Sequence, residues 1–285
     1  MMPPLAHAAA PAPATRIIPA DGRRLAVVGL GTWQTFDVGA DTAARANLGG
    51  VLSRFVELGG EVVDSSPMYG SAESVVGDLA SARKLRDRLF LATKVWTSGR
   101  DAGIAQMEES LQRLKSPRIE LMQIHNLQDW KLHLPVLRAW QAEGKIRYLG
   151  ITHYSSGAYA EVEDILRREA LDFLQINYSL AEQEAARRLL PLAAERGVAV
   201  IVNRPFAEGA LFSRVKGRTL PAAAAALGCR TWAQLFLRWI LAHPAVTCVI
   251  PASSRITHLE DNMAAGMTAL PAVEAQKALG RMAGF

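Results

Sequence analysis

Cysteine is scarce, with 2 among 285 residues. That excludes a disulfide scaffold and fits a reducing compartment or indifference to redox conditions. Cys229 and Cys248 have neither partner spacing nor an activating neighbour, so both read as core residues. No Cys/His cluster shows ligand spacing, and no metal is expected. Long uncharged runs are also missing: Trp239 to Ser254 contains His243, Pro244 and Pro251 and stays below membrane-spanning length. A soluble chain with no membrane partner is expected. Residues 1–14 (MMPPLAHAAAPAPA) lack charge, hydrophobic period and large side chains, which reads as a flexible tail. Their Ala-His-Ala-Ala stretch is like the end of an export signal, but no basic or long apolar region precedes it. A cytoplasmic location is therefore expected, a misplaced start codon being the alternative. Concentrated charge is absent too. The net charge is +5 and the pI near 9.4, yet basic residues are interspersed with acids. The densest run, Arg83 to Arg88, reads as a helix end and a solvated loop. Nucleic acid is thus a weaker partner than a phosphate-bearing small molecule.

What is present is an ordinary globular composition, half apolar and 21% charged. Around Asp21-Gly22, residues 16–25 read as a short hairpin. Eight strand-like runs follow, at 27–31, 61–64, 89–94, 119–124, 147–151, 171–176, 198–202 and 247–250. They are continuously apolar, as strands covered on both faces are. Between them, Leu48, Leu52 and Phe55 recur at helical spacing, as do Ile104, Met107, Leu111 and Leu114. Gly60, Gly144 and Gly197 stand where left-handed helix caps are needed, and Pro191 is expected to kink a helix at 183–195. With no linker or composition break, the pattern predicts an α/β chain: a (β/α)8 TIM barrel over residues 15–285 with an N-terminal β-hairpin. Two doubly wound domains are the alternative.

Active sites of such barrels lie at the C-terminal strand ends. Asp64, Lys94 and His125 fall at or just after the ends of three successive runs, and Tyr69 follows in the loop after Asp64. A lysine in a barrel mouth needs a facing carboxylate, which Asp64 supplies. A nearby cation stabilises a tyrosine's phenolate and makes the phenol a better acid; a histidine can orient a carbonyl oxygen. Together they form a proton-delivery site beside an oxygen that gains negative charge, as carbonyl reduction requires. Taken singly, each has a plainer reading: an ion pair, a packing ring, a satisfied core histidine. Their convergence at adjacent strand ends favours the functional one.

The ordered set Gly29-Leu-Gly-Thr-Trp, Val63-Asp-Ser-Ser-Pro-Met-Tyr-Gly-Ser, Ala92-Thr-Lys94, Gln123-Ile-His125-Asn, Leu149-Gly-Ile-Thr, Ile250-Pro-Ala-Ser and Asp261-Asn262 resembles the aldo-keto reductases from about residue 16 to 265. The resemblance implies a barrel that binds NADPH, with NADH less favoured, and reduces a small-molecule aldehyde or ketone. It implies Tyr69 as general acid, Lys94 lowering its pKa, Asp64 holding Lys94, and His125 positioning the carbonyl. Gln175 would bind the nicotinamide carboxamide. Thr152 and His153 stand at a Ser-Asn pair, so one amide is replaced by imidazole. Asn203-Arg204-Pro205-Phe206 stands where an aromatic ring often lies under the nicotinamide; Arg204 would contact the pyrophosphate. Ser253, Ser254 and Arg255 lead into a helix and would bind phosphate, with Arg255 on a 2′-phosphate. His258 replaces a common arginine, and Asp261-Asn262 resembles the adenine-binding pair. Trp33, Trp96, Trp130 and Phe206 are expected to line an apolar substrate pocket, with no long C-terminal lid after Phe285. A monomer or weak homo-oligomer is expected. Two other readings compete: a cofactor-binding regulatory subunit, as in the potassium-channel β-subunits that resemble this family, and a barrel hydrolase using Asp64. The second lacks a well-placed second carboxylate.

Overall fold

The computed structural model describes residues 12–285, so residues 1–11 of the flexible tail expected over 1–14 lie outside them. The last residue of that expected tail is pinned: Ala14 donates its N–H to Gly266 O at 2.7 Å and accepts from Val27 N. An antiparallel hairpin then forms from β1 (Thr15–Ile17) and β2 (Arg24–Ala26), turning through Gly22 at φ 78°. Eight parallel strands follow in unbroken neighbour order: β3 (Leu30–Gly31), β4 (Val62–Asp64), β5 (Phe90–Val95), β6 (Ile119–His125), β7 (Ile146–Thr152), β8 (Phe173–Asn177), β9 (Ala199–Asn203) and β10 (Val246–Val249). The sheet closes on itself. Gly29 N–H donates to Val249 O at 2.8 Å, Val249 N–H donates to Val27 O at 2.9 Å, and Gly31 bridges Ala252. This is the (β/α)8 barrel with its hairpin.

Helices α1 (Thr42–Glu57), α2 (Ala72–Ala82), α3 (Arg100–Arg113), α4 (Trp130–Ala142), α5 (Tyr159–Arg168) and α6 (Leu189–Glu195) each connect one barrel strand to the next. The last crossover holds α7 (Ala210–Arg214) and α8 (Trp232–Leu241), and α9 (Ile256–Ala264) and α10 (Ala275–Ala283) complete the chain. Among the described residues no helix is long and apolar enough to cross a membrane. Strand residues of one parity, such as Val63, Leu91, Met122 and Leu174, join Leu52, Phe55, Met107 and Leu235 of the helices in the outer core. Residues of the other parity face the barrel axis.

That inward face changes character along each strand. At the base, Phe90, Leu121, Tyr148, Phe173 and Cys248 meet Ile18 and Leu25 of the hairpin in a separate apolar cluster. The hairpin is the floor plug. Asp21 accepts from the Tyr148 hydroxyl and from Arg147, both at 2.6 Å, and Arg16 donates to Leu241 O at the end of α8 and to His243 O and Val246 O beyond it. Further along the same faces stand Asp64, Lys94, His125, Thr152, Gln175 and Asn203. A one-residue slip would turn all of these into the helix layer, so the apolar base sets the register of the polar mouth.

Two local expectations are corrected. Gly59, at φ 79°, takes the left-handed cap after α1; a Cβ on Gly60 would sit 2.1 Å from the Phe55 ring, so Gly60 serves close packing. Gly144 and Gly197 are left-handed as expected. Pro191 does not kink a helix: the run breaks at Arg188, and α6 starts at Leu189 with the proline in its first turn. No intrahelical N–H bond is needed there.

Candidate active site

Asp64 ends β4, and its carboxylate is 97% hidden from solvent on the side-chain scale, with Lys94 of the adjoining β5 wholly buried. Lys94 Nζ donates to Asp64 Oδ2 at 2.7 Å and to Ser65 O at 2.6 Å. The other carboxylate oxygen accepts from Gln175 Nε2 at 2.8 Å and Gln123 Nε2 at 3.3 Å. A buried carboxylate with a cation and two amides has its charge locally compensated. Burial works against charge on Lys94, but Asp64 and then Tyr69 outweigh it, and the ammonium is held above its ordinary pKa.

Tyr69 enters from the turn after β4, where its N–H donates to Ser66 O at 3.0 Å and its carbonyl accepts from Ala72 N at the start of α2. Lys94 Nζ stands 4.9 Å from the ring centroid. The pKa of the phenol is raised, chiefly by burial, with Lys94 pulling it down and Asp64 pushing it up. The expected lowering influence of Lys94 is present, and burial outweighs it. A phenol shifted upward keeps its proton at neutral pH.

His125 is the final residue of β6 and lies edge-on to Tyr69, ring centroids 6.0 Å apart. Burial, then the charge of Lys94 and that of His153, push its pKa down to about 2. The ring is therefore neutral, with one donor and one acceptor nitrogen. Ser66 Oγ is 3.1 Å from Nδ1.

A cavity of about 900 Å³ opens over these groups, and Trp33, Met68, Tyr69, Trp96, His125 and Gln175 are among its walls. Thr152, Asn203, Pro205, Phe206 and Arg204 also border it. Thr152 Oγ1 donates to Gln175 Oε1 at 3.1 Å, and Asn203 Nδ2 to His153 O at 3.2 Å and Gln175 Oε1 at 3.4 Å. Asn203 Oδ1 is buried with no partner among the described residues. Arg204 faces Glu182 at 3.5 Å and Glu208 at 3.7 Å, above the Tyr154 ring. Arg204, Ala207 and Glu208 all have left-handed backbones (φ 48–53°), a conformation costly for side-chain-bearing residues.

Not every expected residue joins them. Trp130 is not on the cavity wall; its indole donates to Glu161 at 3.1 Å. The His153 ring stacks on Tyr154, centroids 5.4 Å apart, and its Nδ1 accepts from Ser155 N. Ser253 forms the turn before α9, accepting from Arg255 N and donating to Arg255 O; Ser254 O accepts from Asn47. Arg255 and His258 are exposed at the start of α9, and Asn262 is buried on it. Asp261 accepts from Thr231 and Gln234, tying α9 to the start of α8. Gln123, Ser66 and Asn126 were not singled out from the sequence. Gln123 shares the parity of His125, a signal available in the strand pattern; Ser66 and Asn126 lie in loops where no period applies.

A sequence profile of the Aldo/keto reductase family matches residues 27–278. The chain belongs to the aldo/keto reductase family. Similar members include methylglyoxal reductase YeaE of Escherichia coli, 28% identical over 247 residues, covering 84% of this chain and 85% of that protein. Among solved structures, an aldo-keto reductase from Klebsiella pneumoniae in complex with NADPH is 28% identical, with a TM-score of 0.79 and 95% of both chains covered. The Klebsiella pneumoniae aldo/keto reductase in complex with NADP and acetate is also 28% identical, with a TM-score of 0.77 and 92% coverage of both chains. The Asp64–Lys94 pair, Tyr69 and His125 thus sit at the mouth of an aldo/keto reductase barrel, where a protonated phenol and a neutral imidazole face one cavity.

Proposed function

We propose that this aldo/keto reductase reduces aldehydes or ketones to alcohols with NADPH, and that Tyr69 is the proton donor. The observation that carries this reading is the Tyr69 ring beside the buried Lys94–Asp64 pair, with His125 edge-on to it on the same cavity wall. Thr152, Gln175 and Asn203 would hold the nicotinamide carboxamide, and the unpartnered Asn203 Oδ1 is an acceptor of the kind an amide N–H needs. Arg204, Ser253, Ser254 and the N-terminal end of α9 would take the phosphates. Bound there, NADPH would supply the hydride that carbonyl reduction needs.

The protein's own part is proton delivery and charge stabilisation. A carbonyl oxygen bound in the cavity would lie between Tyr69 and His125, within reach of both side chains. As negative charge grows on that oxygen, the Tyr69 proton crosses to it, and Lys94 stabilises the phenolate left behind. Asp64 keeps Lys94 charged and in place. Acid help of this kind accelerates a reaction by about 10²–10⁴-fold. Trp33, Met68 and Trp96 are 42%, 40% and 41% exposed around the opening. Uncovered apolar side chains rimming a cleft favour a substrate with an aliphatic or aromatic body.

The test is oxidation of NADPH by the purified chain with a panel of aliphatic and aromatic aldehydes, ketones and methylglyoxal. Turnover that depends on the carbonyl supports the reading. NADPH binding without turnover on any member contradicts it and favours the regulatory alternative.

Arg255 is exposed at the first turn of α9, free to meet a phosphate. Arg255→Ala is expected to weaken NADPH by about 10-fold, as charge-assisted hydrogen bonds contribute, and NADH hardly at all. Titration by quenching of tryptophan fluorescence reads both; equal losses remove Arg255 as the 2′-phosphate ligand.

A further inference from the structure

Ser66 is fully buried in the turn after β4, with its hydroxyl 3.1 Å from His125 Nδ1. Its oxygen already accepts from the Met68 backbone N–H at 3.4 Å. The hydroxyl proton still needs an acceptor, and among the described residues Nδ1 of His125 is the one within hydrogen-bond distance. A neutral imidazole that accepts at Nδ1 carries its proton on Nε2. Nε2 has no hydrogen-bond partner among the described residues, and His125 lines the cavity.

We propose that Ser66 is a positioning residue that locks His125 in the Nε2–H tautomer, so that the imidazole presents a donor to the substrate oxygen. The opposite tautomer fails on two counts. Nδ1–H and Met68 N–H would both donate to Ser66 Oγ, leaving the proton of the fully buried serine without a partner among the described residues. An Nε2 lone pair would then face the carbonyl oxygen, acceptor against acceptor. The low pKa of His125 agrees with this assignment, since burial and Lys94 exclude the doubly protonated ring at neutral pH. His125 is therefore a fixed donor that keeps its proton, and Tyr69 is the group that gives one up. Flanking rings hold the imidazole plane: Tyr69 at 6.0 Å, edge-on, and Trp96 at 6.3 Å. The proposal rests on His125 facing the substrate oxygen, as described under the proposed function.

The experiment uses the full chain labelled with 15N-histidine, free of ligand, with the His125 signals identified by their loss in a His125→Gln variant. The expected spectrum at neutral pH shows a neutral ring with a bare Nδ1 and a protonated Nε2. Ser66→Ala is expected to give a mixture of tautomers and a kcat for aldehyde reduction lower by on the order of 10-fold, with unchanged NADPH affinity. Ser66→Thr, which keeps the hydroxyl, is expected to restore the single tautomer. A wild-type ring protonated on Nδ1 overturns the proposal, as does a Ser66→Ala variant with unchanged tautomer and kcat. The wild-type spectrum decides the tautomer without any turnover, so this inference and the proposed reaction fail separately.

Discussion

Tyr69→Phe is expected to lose at least about 100-fold in kcat for carbonyl reduction while binding NADPH as tightly as the parent. A loss of that size corresponds to about 2.7 kcal/mol of transition-state stabilisation. The substitution deletes one oxygen and keeps the ring that lies edge-on to His125 and beneath Lys94 Nζ. Thr152, Gln175 and Asn203, which would hold the nicotinamide, bond to one another and to Asp64 without Tyr69. Binding and chemistry should therefore separate: kcat falls, and the fluorescence titration with NADPH stays put. A loss of affinity matching the loss of rate would mean that Tyr69 holds the cofactor rather than donating a proton.

The second large effect is on stability. Lys94→Met leaves the Asp64 carboxylate buried with only the amides of Gln123 and Gln175 around it. Breaking a buried pair by removing one partner costs about 3–5 kcal/mol, which urea denaturation will show as a large drop in midpoint. Asp64→Asn combined with Lys94→Met removes both charges and keeps an oxygen that accepts from the two glutamines. That double variant is expected to regain most of the lost stability, because replacing both charges of a buried pair often costs little. It should not regain turnover, since the proposed reaction needs Lys94 to stabilise the phenolate of Tyr69. A double variant as unstable as the single one would show that the packing of the lysine stem, not charge compensation, holds this part of the barrel.

The eight strands were legible because each is an apolar run with its own length and punctuation, and the ends of the last seven fall within two residues of the runs read in the sequence. His125 and Asp64 were legible for the same reason: a charged or polar residue closing an apolar run stands out. The first strand was less so. Only Leu30–Gly31 pairs continuously, while Val27 and Val28 take part in closing the barrel, a contact between chain segments more than 200 residues apart. No local pattern encodes that. Helix boundaries failed where one residue decides: Gly59 and Gly60 are adjacent and chemically identical, and only the Phe55 ring against the second assigns their roles. The lowering influence of Lys94 on Tyr69 was legible, but the larger opposing effect was not, because a sequence shows that a cation is near and not how deeply the phenol is buried. Trp130 follows a strand end as Trp33 and Trp96 do, yet its indole turns to Glu161 on α5, a partner invisible in linear order. Ser66 does not stand out in the sequence because its partner, His125, is 59 positions away.

The most direct measurement follows the transferred hydrogen. NADPH carrying deuterium at the reactive position of nicotinamide C4 is incubated with the purified chain and an aromatic aldehyde. The alcohol formed is then analysed by mass and NMR. Deuterium is expected on the carbinol carbon, with a hydroxyl proton drawn from solvent-exchangeable sites, and loss of this product is expected in Tyr69→Phe. An alcohol without deuterium, or undiminished formation of the deuterated alcohol by Tyr69→Phe, would contradict the proposed reaction.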